Sequence, residues 1–359
     1  MTQHFASLCA VMWVCSNHAV FADSAGTLRA IAEKQAANDS RLRTLVAEYD
    51  VVDRILGPSV DPNDRSHVQR VTESTVRVWL RHVEGLIRVG YEEKAGTRKL
   101  DEAGEELIKE YPKEEHRYLK TPEHFVRFPV NERRVRVQGF PDVAGFGPGR
   151  RGRVLYLDPT ETSERYGRRS RFFDPRLVYS NGSHQFRTFC SLYADALDGL
   201  RTDREQSHAS SNLEIEERRD GCIVVAVKYG GGILDTETVF DPTLGYQATS
   251  FLSRKNGKTK EELVVSYAVE SGVYVPDEIQ MTYHRGDSKG RSTRHFKASK
   301  LSVNSKIDDQ VFAVSALDPH YGDRMADSVT GALKIWVGER FVGHEQFKMD
   351  HSRMPWGKQ

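Results

Sequence analysis

The sequence lacks an excess of charge of either sign. Its 359 residues include 52 Lys and Arg and 51 Asp and Glu, which gives a formal net charge of +1. A chain this close to neutral has no global attraction for a phosphate backbone, so we expect no nucleic-acid partner. With 38% hydrophobic and 29% charged residues, its composition is typical of a globular protein and not of a disordered one.

Short motifs of metal and redox chemistry are also missing. Neither His-Glu-x-x-His nor Cys-x-x-Cys occurs in the sequence. His344-Glu345 begins like the zinc motif, but the next histidine is His351 and not residue 348. Adjacent carboxylates such as Glu216-Glu217 lie in a strand-like run, where neighbouring side chains point to opposite faces and cannot form an acid/base pair. We therefore predict no metal, no cofactor and no catalytic residue.

Long apolar runs are scarce, and the one at the N-terminus is too short to span a bilayer. The run ASLCAVMWVC occupies 6–15, whereas a membrane helix needs about 20 residues. Val20-Phe21-Ala22 follows, with small residues at the two positions that a signal peptidase reads. We predict a signal peptide at 1–22, cleavage after Ala22, and a periplasmic or extracellular protein without a transmembrane segment. The alternative is a buried first helix.

Cysteine is rare, and cleavage would make it rarer. Of the four cysteines, Cys9 and Cys15 would leave with the signal peptide, and Cys190 and Cys222 would remain. Two cysteines in an oxidising compartment predict one disulfide. The alternative is two separate buried thiols.

The region from 211 to 303 contains strong reversal signals between strand-like runs. Seven runs follow one another, separated by turns such as Asp220-Gly221 and Asn256-Gly257. Both dipeptides favour tight hairpin turns, because the central residues need positive φ. Short reversals force antiparallel neighbours, so the pattern predicts a meander. Upstream, alternation predicts a strand over 45–52 and a hairpin over 76–91.

Helices are expected at three places. Apolar residues recur at helical spacing over 27–43 and, more strongly, over 185–200, and a short charged helix is expected over 101–111. We predict an α+β fold: a curled antiparallel β-sheet, a half-barrel meander, with helices packed on its concave face. The predicted parts are the sheet domain at 23–315, with a basic, loop-rich insertion at about 95–180, and a C-terminal extension at 316–359.

The insertion is rich in arginine. Eight arginines stand between 150 and 176, with Asp158, Glu161, Glu164 and Asp174 among them. The arginines could bind an anionic surface such as lipid headgroups. The interspersed acids favour the alternative, a solvated loop.

Local phrases and the order of elements resemble a known superfamily. The phrases are Val239-Phe240-Asp241-Pro242 with Gly245-Tyr246, then Gly272-Val273-Tyr274-Val275-Pro276, then Val303-Asn304 followed by Ile307-Asp308-Asp309. Together with a leading helix and a curled meander they resemble the LolA-like periplasmic lipoprotein-carrier superfamily. The resemblance covers about 210–315 and, loosely, 27–56. It implies relatives that carry lipoproteins or lipids, or that sense envelope stress.

The apolar side of two adjacent strands is the candidate binding site. Alternation places six residues on it: Leu263, Val265, Tyr267, Ile279, Met281 and Tyr283. They either pack on the helix at 185–200 or leave room for an acyl chain. We predict a non-enzymatic carrier or sensor that binds a lipid, a lipoprotein or another apolar ligand, with an envelope protein or an anionic surface as further partner. The alternatives are an envelope interaction or structural module with a filled core and, third, an envelope-polymer hydrolase.

Overall fold

A computed structural model describes most of the chain in two compact units. Unit 1 comprises 1–41 and 187–286, and unit 2 comprises 42–186 and 287–359. The described residues are 26–57, 68–100, 106–109, 113–131, 133–134, 152–159, 172–177, 212–229, 234–284 and 290–351. The predicted signal peptide, the predicted helix at 185–200 and Cys190 lie outside them.

The described residues are mostly β-strand, with few helices. The strands are Thr44–Leu56 (β1), Val68–Arg81 (β2), Leu86–Leu100 (β3), Glu106–Lys109 (β4), Glu115–Lys120 (β5), His124–Pro129 (β6), Arg133–Arg134 (β7), Gly152–Pro159 (β8), Asn212–Glu217 (β9), Ile223–Tyr229 (β10), Leu234–Asp241 (β11), Gln247–Lys255 (β12), Lys258–Glu270 (β13), Val273–His284 (β14), Arg291–Val303 (β15), Arg324–Asp327 (β16), Ala332–Trp336 (β17) and Phe341–Gly343 (β18). The α-helices are 26–41 (α1) and His344–His351 (α2). Among the described residues, none of the helices is both long and apolar enough to cross a membrane.

Unit 1 contains an antiparallel meander. Its strand order is β9-β10-β11-β12-β13-β14, so each strand pairs with the next one along the chain. Asn256 and Gly257 join β12 to β13 with φ of 52° and 71°, as a tight hairpin turn requires. The turn signals therefore predicted these six strands correctly, and the described part of 221–300 contains no α-helix.

The seventh predicted run, β15, lies in unit 2. It pairs antiparallel with β1, and the order continues as β15-β1-β2-β3-β5-β6-β8-β16-β17-β18. The pairing between β8 and β16 is parallel, and the other pairings of this series are antiparallel. The tail after residue 315 thus adds strands to the sheet of unit 2.

Helix α1 confirms the helix predicted over 27–43 and packs within unit 1. Leu28 and Ile31 are buried on one face. Asn38 Nδ2 donates to the Tyr274 carbonyl (3.2 Å), and Tyr274 N donates to Asn38 Oδ1 (2.8 Å). Gln35 Nε2 donates to the Tyr246 carbonyl (2.9 Å). Polar side chains at helical spacing therefore fix α1 to the start of β14 and to the β11–β12 turn.

The prediction of a short charged helix over 101–111 is wrong. Residues 106–109 form β4, which pairs antiparallel with the end of β3 through Arg98–Lys109 and Lys99–Ile108. Charged residues with weak helical periodicity adopt the strand conformation because a neighbouring edge offers backbone partners.

One face of the unit 2 sheet is covered by the segment that follows β15. Two short 3₁₀ helices, Asp309–Phe312 and Val314–Leu317, bury Phe312 and Leu317 in a cluster with residues of β5, β6 and β8. Arg81 donates to the Ile307 carbonyl (2.6 Å), and Arg117 donates to the Leu317 carbonyl (2.7 Å). These two arginines hold the covering segment against the strands.

Candidate functional site

The six predicted site residues lie on adjacent strands of unit 1. Leu263 on β13 is directly opposite Met281 on β14, and Val265 is directly opposite Ile279. Leu263, Val265 and Ile279 are buried. Tyr267, Met281 and Tyr283 are half-buried.

The same face continues across the meander as a row of largely apolar side chains. Successive pairings place Phe251 opposite Leu263, Thr238 opposite Phe251, and Val225 opposite Thr238. Directly opposite residues of paired strands share a face, so the row runs from Met281 on β14 to Val225 on β10. We call these residues the apolar row.

A second row on the same face, offset by two residues along each strand, is polar. Tyr283 lies opposite Glu261, Glu261 opposite Ser253, Ser253 opposite Thr236, and Thr236 opposite Val227. We call Thr236, Ser253, Glu261 and Tyr283 the polar row. Glu261 is only 6% exposed. The face therefore combines an apolar row with hydrogen-bonding groups.

Thr238, within the apolar row, carries an orphaned hydroxyl. Its side chain is fully buried (0% exposed), and its Oγ1 has no hydrogen-bond partner in the described part of the chain. Burying an unpaired hydroxyl is unfavourable by about 1–3 kcal/mol. Such a group marks a point where a ligand atom or a water would be stabilised.

A β-bulge changes the predicted face near the start of β14. Ser266 pairs with Glu278, but the next residue, Tyr267, pairs with Pro276, so Asp277 is the extra residue. Val275 consequently lies opposite Ala268 instead of Val269. The alternation of β14 taken alone predicts that Val273 and Val275 share the side of Ile279, but their pairing places them on the other side, because one inserted residue shifts the pleat by one position.

Tyr267 itself is fixed by a hydrogen bond inside the meander. Its Oη donates to the Ala248 carbonyl (2.8 Å). At the other end of the face, Tyr283 Oη contacts Met281 Sδ (3.9 Å). A thioether is a weak acceptor and Met is the most adaptable apolar side chain, so this end can be rearranged at little cost.

Cys222 has no disulfide partner among the described residues and is half-buried just before β10. Burial raises the pKa of this thiol, and the carboxylates of Asp220 and Asp241 raise it further. The thiol is thus protonated at neutral pH and is a poor nucleophile. Since Cys190 lies outside the described residues, the disulfide with Cys222 stays a prediction.

Two of the eight arginines between 150 and 176 are described, and both form ion pairs inside unit 2. Arg153 pairs with Asp323, and Arg176 pairs with Asp174. In both pairs the carboxylate is buried. These two arginines therefore act in packing, and the anionic-surface prediction rests on arginines outside the described residues.

In the described ranges no group of three or more His, Cys, Asp or Glu side chains can hold a metal ion. A Gly-x-Ser-x-Gly spacing does occur at Gly286 to Gly290, between β14 and β15 in the chain. A nucleophile elbow needs a strand-to-helix turn, whereas a strand follows here, so the spacing does not indicate a hydrolase.

Comparison with known proteins gives only distant similarity. No family model and no curated protein matches the sequence. A domain from Vibrio parahaemolyticus assigned to outer membrane lipoprotein sorting is 11% identical, with a TM-score of 0.34, over 80% of this chain and 96% of that one. A beta-barrel-like protein of domain of unknown function DUF1849 from Brucella abortus is 11% identical, with a TM-score of 0.27, over 74% of this chain and 99% of that one. A porin-like protein from Bacteroides uniformis is 8% identical, with a TM-score of 0.22, over 73% of this chain and 96% of that one. Membership of the LolA-like superfamily stays a prediction.

Proposed function

We propose that the protein is a non-enzymatic carrier or sensor of the bacterial envelope, and that the meander face of unit 1 binds a lipid, a lipoprotein acyl chain or another apolar ligand. The observation that carries the proposal is the apolar row with the orphaned Thr238 hydroxyl beside the polar row. A core built only of apolar side chains would contain neither the orphaned hydroxyl nor the polar row. A face that binds an amphipathic ligand would contain both of them beside its apolar residues.

The proposed location follows from the N-terminal sequence. We propose export with cleavage after Ala22, so that the mature protein begins at Asp23. Mass spectrometry of the protein recovered from the envelope fraction tests this step. A species that retains Met1 there would contradict it.

The proposed arrangement places the acyl chain along the apolar row and its polar end toward the polar row. Met281 and Tyr283 are half-buried, and we propose that the ligand enters at this end of β14. The curled half-barrel predicted from the sequence would wrap this face around the chain. A flexible thioether at the entrance suits ligands that differ in length.

Substitution of Met281 by Glu tests the binding face. A charge on the apolar row should reduce the affinity for a fluorescent fatty-acid probe at least tenfold, because burying a carboxylate against an alkyl chain is strongly unfavourable. Val264→Glu is the matched control: Val264 neighbours Leu263 on the same strand, is 53% exposed and points to the opposite face. Circular dichroism should show an unchanged β-sheet signal in both variants.

Two results would contradict the carrier proposal. One is a wild-type protein that binds no probe. The other is equal loss of binding in Met281→Glu and Val264→Glu, since only the first lies on the proposed face. Native mass spectrometry of the wild-type protein provides an independent check, because a carrier purified from an envelope fraction should retain a lipid.

A second candidate function is an interaction module of the envelope. Val264 and Val269 are 53% and 59% exposed on β13. The two residues are five positions apart and point to opposite faces of the strand, so the proposed docking surface for another protein is the face of Val264. If the probe does not bind, loss of a pulled-down envelope partner in Val264→Glu would favour this candidate.

A further inference from the structure

A short segment of unit 2, residues 172–177, covers the sheet without joining it. We call it the strap. It forms no strand, and its regular structure is one 3₁₀ turn, Pro175–Leu177. It contacts the sheet through two neighbouring aromatic rings. The Phe173 ring stacks on Phe296 of β15 (centroids 4.5 Å apart) and meets Tyr49 of β1 edge-on (5.2 Å).

The second ring of the strap extends the contact across the same unit. Phe172 meets Tyr118 of β5 edge-on at 5.7 Å and Phe125 of β6 edge-on at 5.2 Å. Tyr118 and Phe125 also stack on each other at 6.0 Å. Two consecutive side chains of the strap therefore lie on aromatic rings of four different strands, and these rings form one aromatic face.

A polar latch fixes the C-terminal part of the strap. Arg176 Nε and Nη2 donate to the two carboxylate oxygens of Asp174 (2.9 and 2.6 Å), and Asp174 is only 3% exposed. Arg176 Nη1 donates to His82 Nδ1 (2.8 Å), in the β2–β3 turn. This hydrogen bond joins the strap to the sheet and requires a neutral imidazole, because a protonated one has no acceptor.

The charges around the latch favour that neutral form at neutral pH. Burial lowers the pKa of His82, and the nearby Arg176 guanidinium lowers it further, against the smaller opposing effect of Asp174. Burial alone would raise the pKa of Asp174, but Arg176, and more weakly Lys120, hold it below its usual value. At pH 7 the latch is thus a charged Asp174–Arg176 pair bound to a neutral His82.

We propose that the strap is a detachable cover, that the aromatic face of Tyr49, Tyr118, Phe125 and Phe296 beneath it is a binding site for an aromatic group, and that protonation of His82 releases the cover. Protonation of the His82 imidazole removes the acceptor of the Arg176 hydrogen bond and places two cations in contact. In the closed state the rings of Phe172 and Phe173 occupy the site as an internal ligand, and after release an external aromatic group can replace them on the same four rings. This site is in unit 2 and is independent of the proposed function in unit 1.

Hydrogen exchange of the 172–177 amides between pH 7 and pH 5 tests the release. After correction for intrinsic exchange, protection of these amides in the wild-type protein should decrease as the pH is lowered from 7 to 5. The decrease should be at most about tenfold per pH unit for one coupled proton. His82→Gln should abolish this fall, because a glutamine oxygen accepts from Arg176 at every pH in the range. His124→Gln is the control: His124 is a part-exposed histidine of β6 outside the latch and should leave the fall unchanged.

Probe binding tests the site beneath the strap. The experiment uses Met281→Glu protein, which lacks the proposed unit 1 site, and 1-anilinonaphthalene-8-sulfonate as the probe. Adding Phe173→Ala should raise binding at pH 7 at least fivefold, and Met281→Glu alone should approach that level at pH 5. A pH dependence that is identical in wild type and His82→Gln overturns the latch. A Phe173→Ala protein with native β-sheet signal and no added probe binding overturns the site.

Discussion

Removing the carboxylate of Asp323 should destabilise unit 2 by about 3–5 kcal/mol, because it leaves a buried guanidinium without its counter-charge. The side chains of Arg153 and Asp323 are 10% and 8% exposed. Arg153 Nε and Nη2 donate to Asp323 Oδ1 and Oδ2 (3.2 and 2.5 Å). The His320 backbone N–H donates to Oδ2 as well (2.7 Å).

The magnitude depends on how each partner is removed. Asp323→Ala loses both bonds from Arg153 and the bond from His320, which gives the full penalty. Asp323→Asn keeps an oxygen acceptor and should be less destabilising than Asp323→Ala, with a loss of about 1.5–3 kcal/mol relative to wild type. Arg153→Met removes the charge and its stacking on Phe128, whose ring centroid lies 4.9 Å away. Stacking of this kind contributes about 0.5–2 kcal/mol.

Urea unfolding of the single variants and of the double variant Arg153→Met, Asp323→Leu measures the coupling between the two side chains. We expect the double variant to be much more stable than the sum of the single losses, because two apolar residues need no counter-charge. Additive losses, or an Asp323→Ala protein within 1 kcal/mol of wild type, would refute the buried pair. Loss of affinity for anionic vesicles at unchanged stability would restore the surface-binding role for Arg153.

Three further predictions follow from single positions. Burial alone would raise the pKa of Asp327, but hydrogen bonds from Lys334 Nζ (2.8 Å) and the Thr330 N–H (3.0 Å) lower it from 3.8 to about 2. The ionised Asp327 contributes about 1 kcal/mol to the free energy of unfolding, after allowance for the partly exposed Lys334. This contribution is present above about pH 4 and is lost as the pH falls towards 2. Acid unfolding of Asp327→Asn should therefore lack this component. Gly290 and Gly331 have φ of +70° and +69°, but a Cβ on Gly290 would lie 2.0 Å from the Leu56 carbonyl oxygen, whereas Gly331 has open space. Gly331→Ala should be destabilising by about 1 kcal/mol from backbone strain and Gly290→Ala by at least about twice that, and equal losses in thermal unfolding would contradict the clash. Leu263→Ala should destabilise by about 2–5 kcal/mol by leaving a cavity, with Val264→Ala within about 0.5 kcal/mol of wild type in the same urea titration.

Local signals in the sequence predicted the meander of unit 1 well. Asn256-Gly257 and Asp220-Gly221 are backbone preferences that act over two residues, so no distant information is needed to locate the turns. Period-two alternation then gives the side of each strand, as Leu263 and Val265 show. Helix α1 was equally predictable, because apolar spacing and the absence of Gly and Pro over 27–43 are local features.

Pairings between distant segments were not predictable in the same way. β15 pairs with β1 across about 250 residues of sequence, from Leu45–Val303 to Leu56–Arg291. Nothing in the alternation of β15 distinguishes β1 from another partner, because hydrogen bonds of the backbone are independent of side-chain identity. The strand β4 was missed for the same reason: its conformation depends on the free edge of β3.

The binding face predicted from the sequence contained only residues chosen for their apolar or aromatic side chains. The alternation that selected Leu263 and Val265 also places Glu261 on the same side, two residues earlier, and the pairing of β12 with β13 then adds Ser253. A carboxylate in phase with a buried aliphatic pair is the local signal that the face is not a simple core. The sequence gives no local signal for the bulge at Asp277. Val273 and Val275 are odd-numbered like Ile279, so alternation predicts that they share its side, but the inserted residue moves them to the other side. Alternation therefore fixes which side chains share a face only up to the first bulge, and the residues beyond it must be assigned from the register of the neighbouring strand.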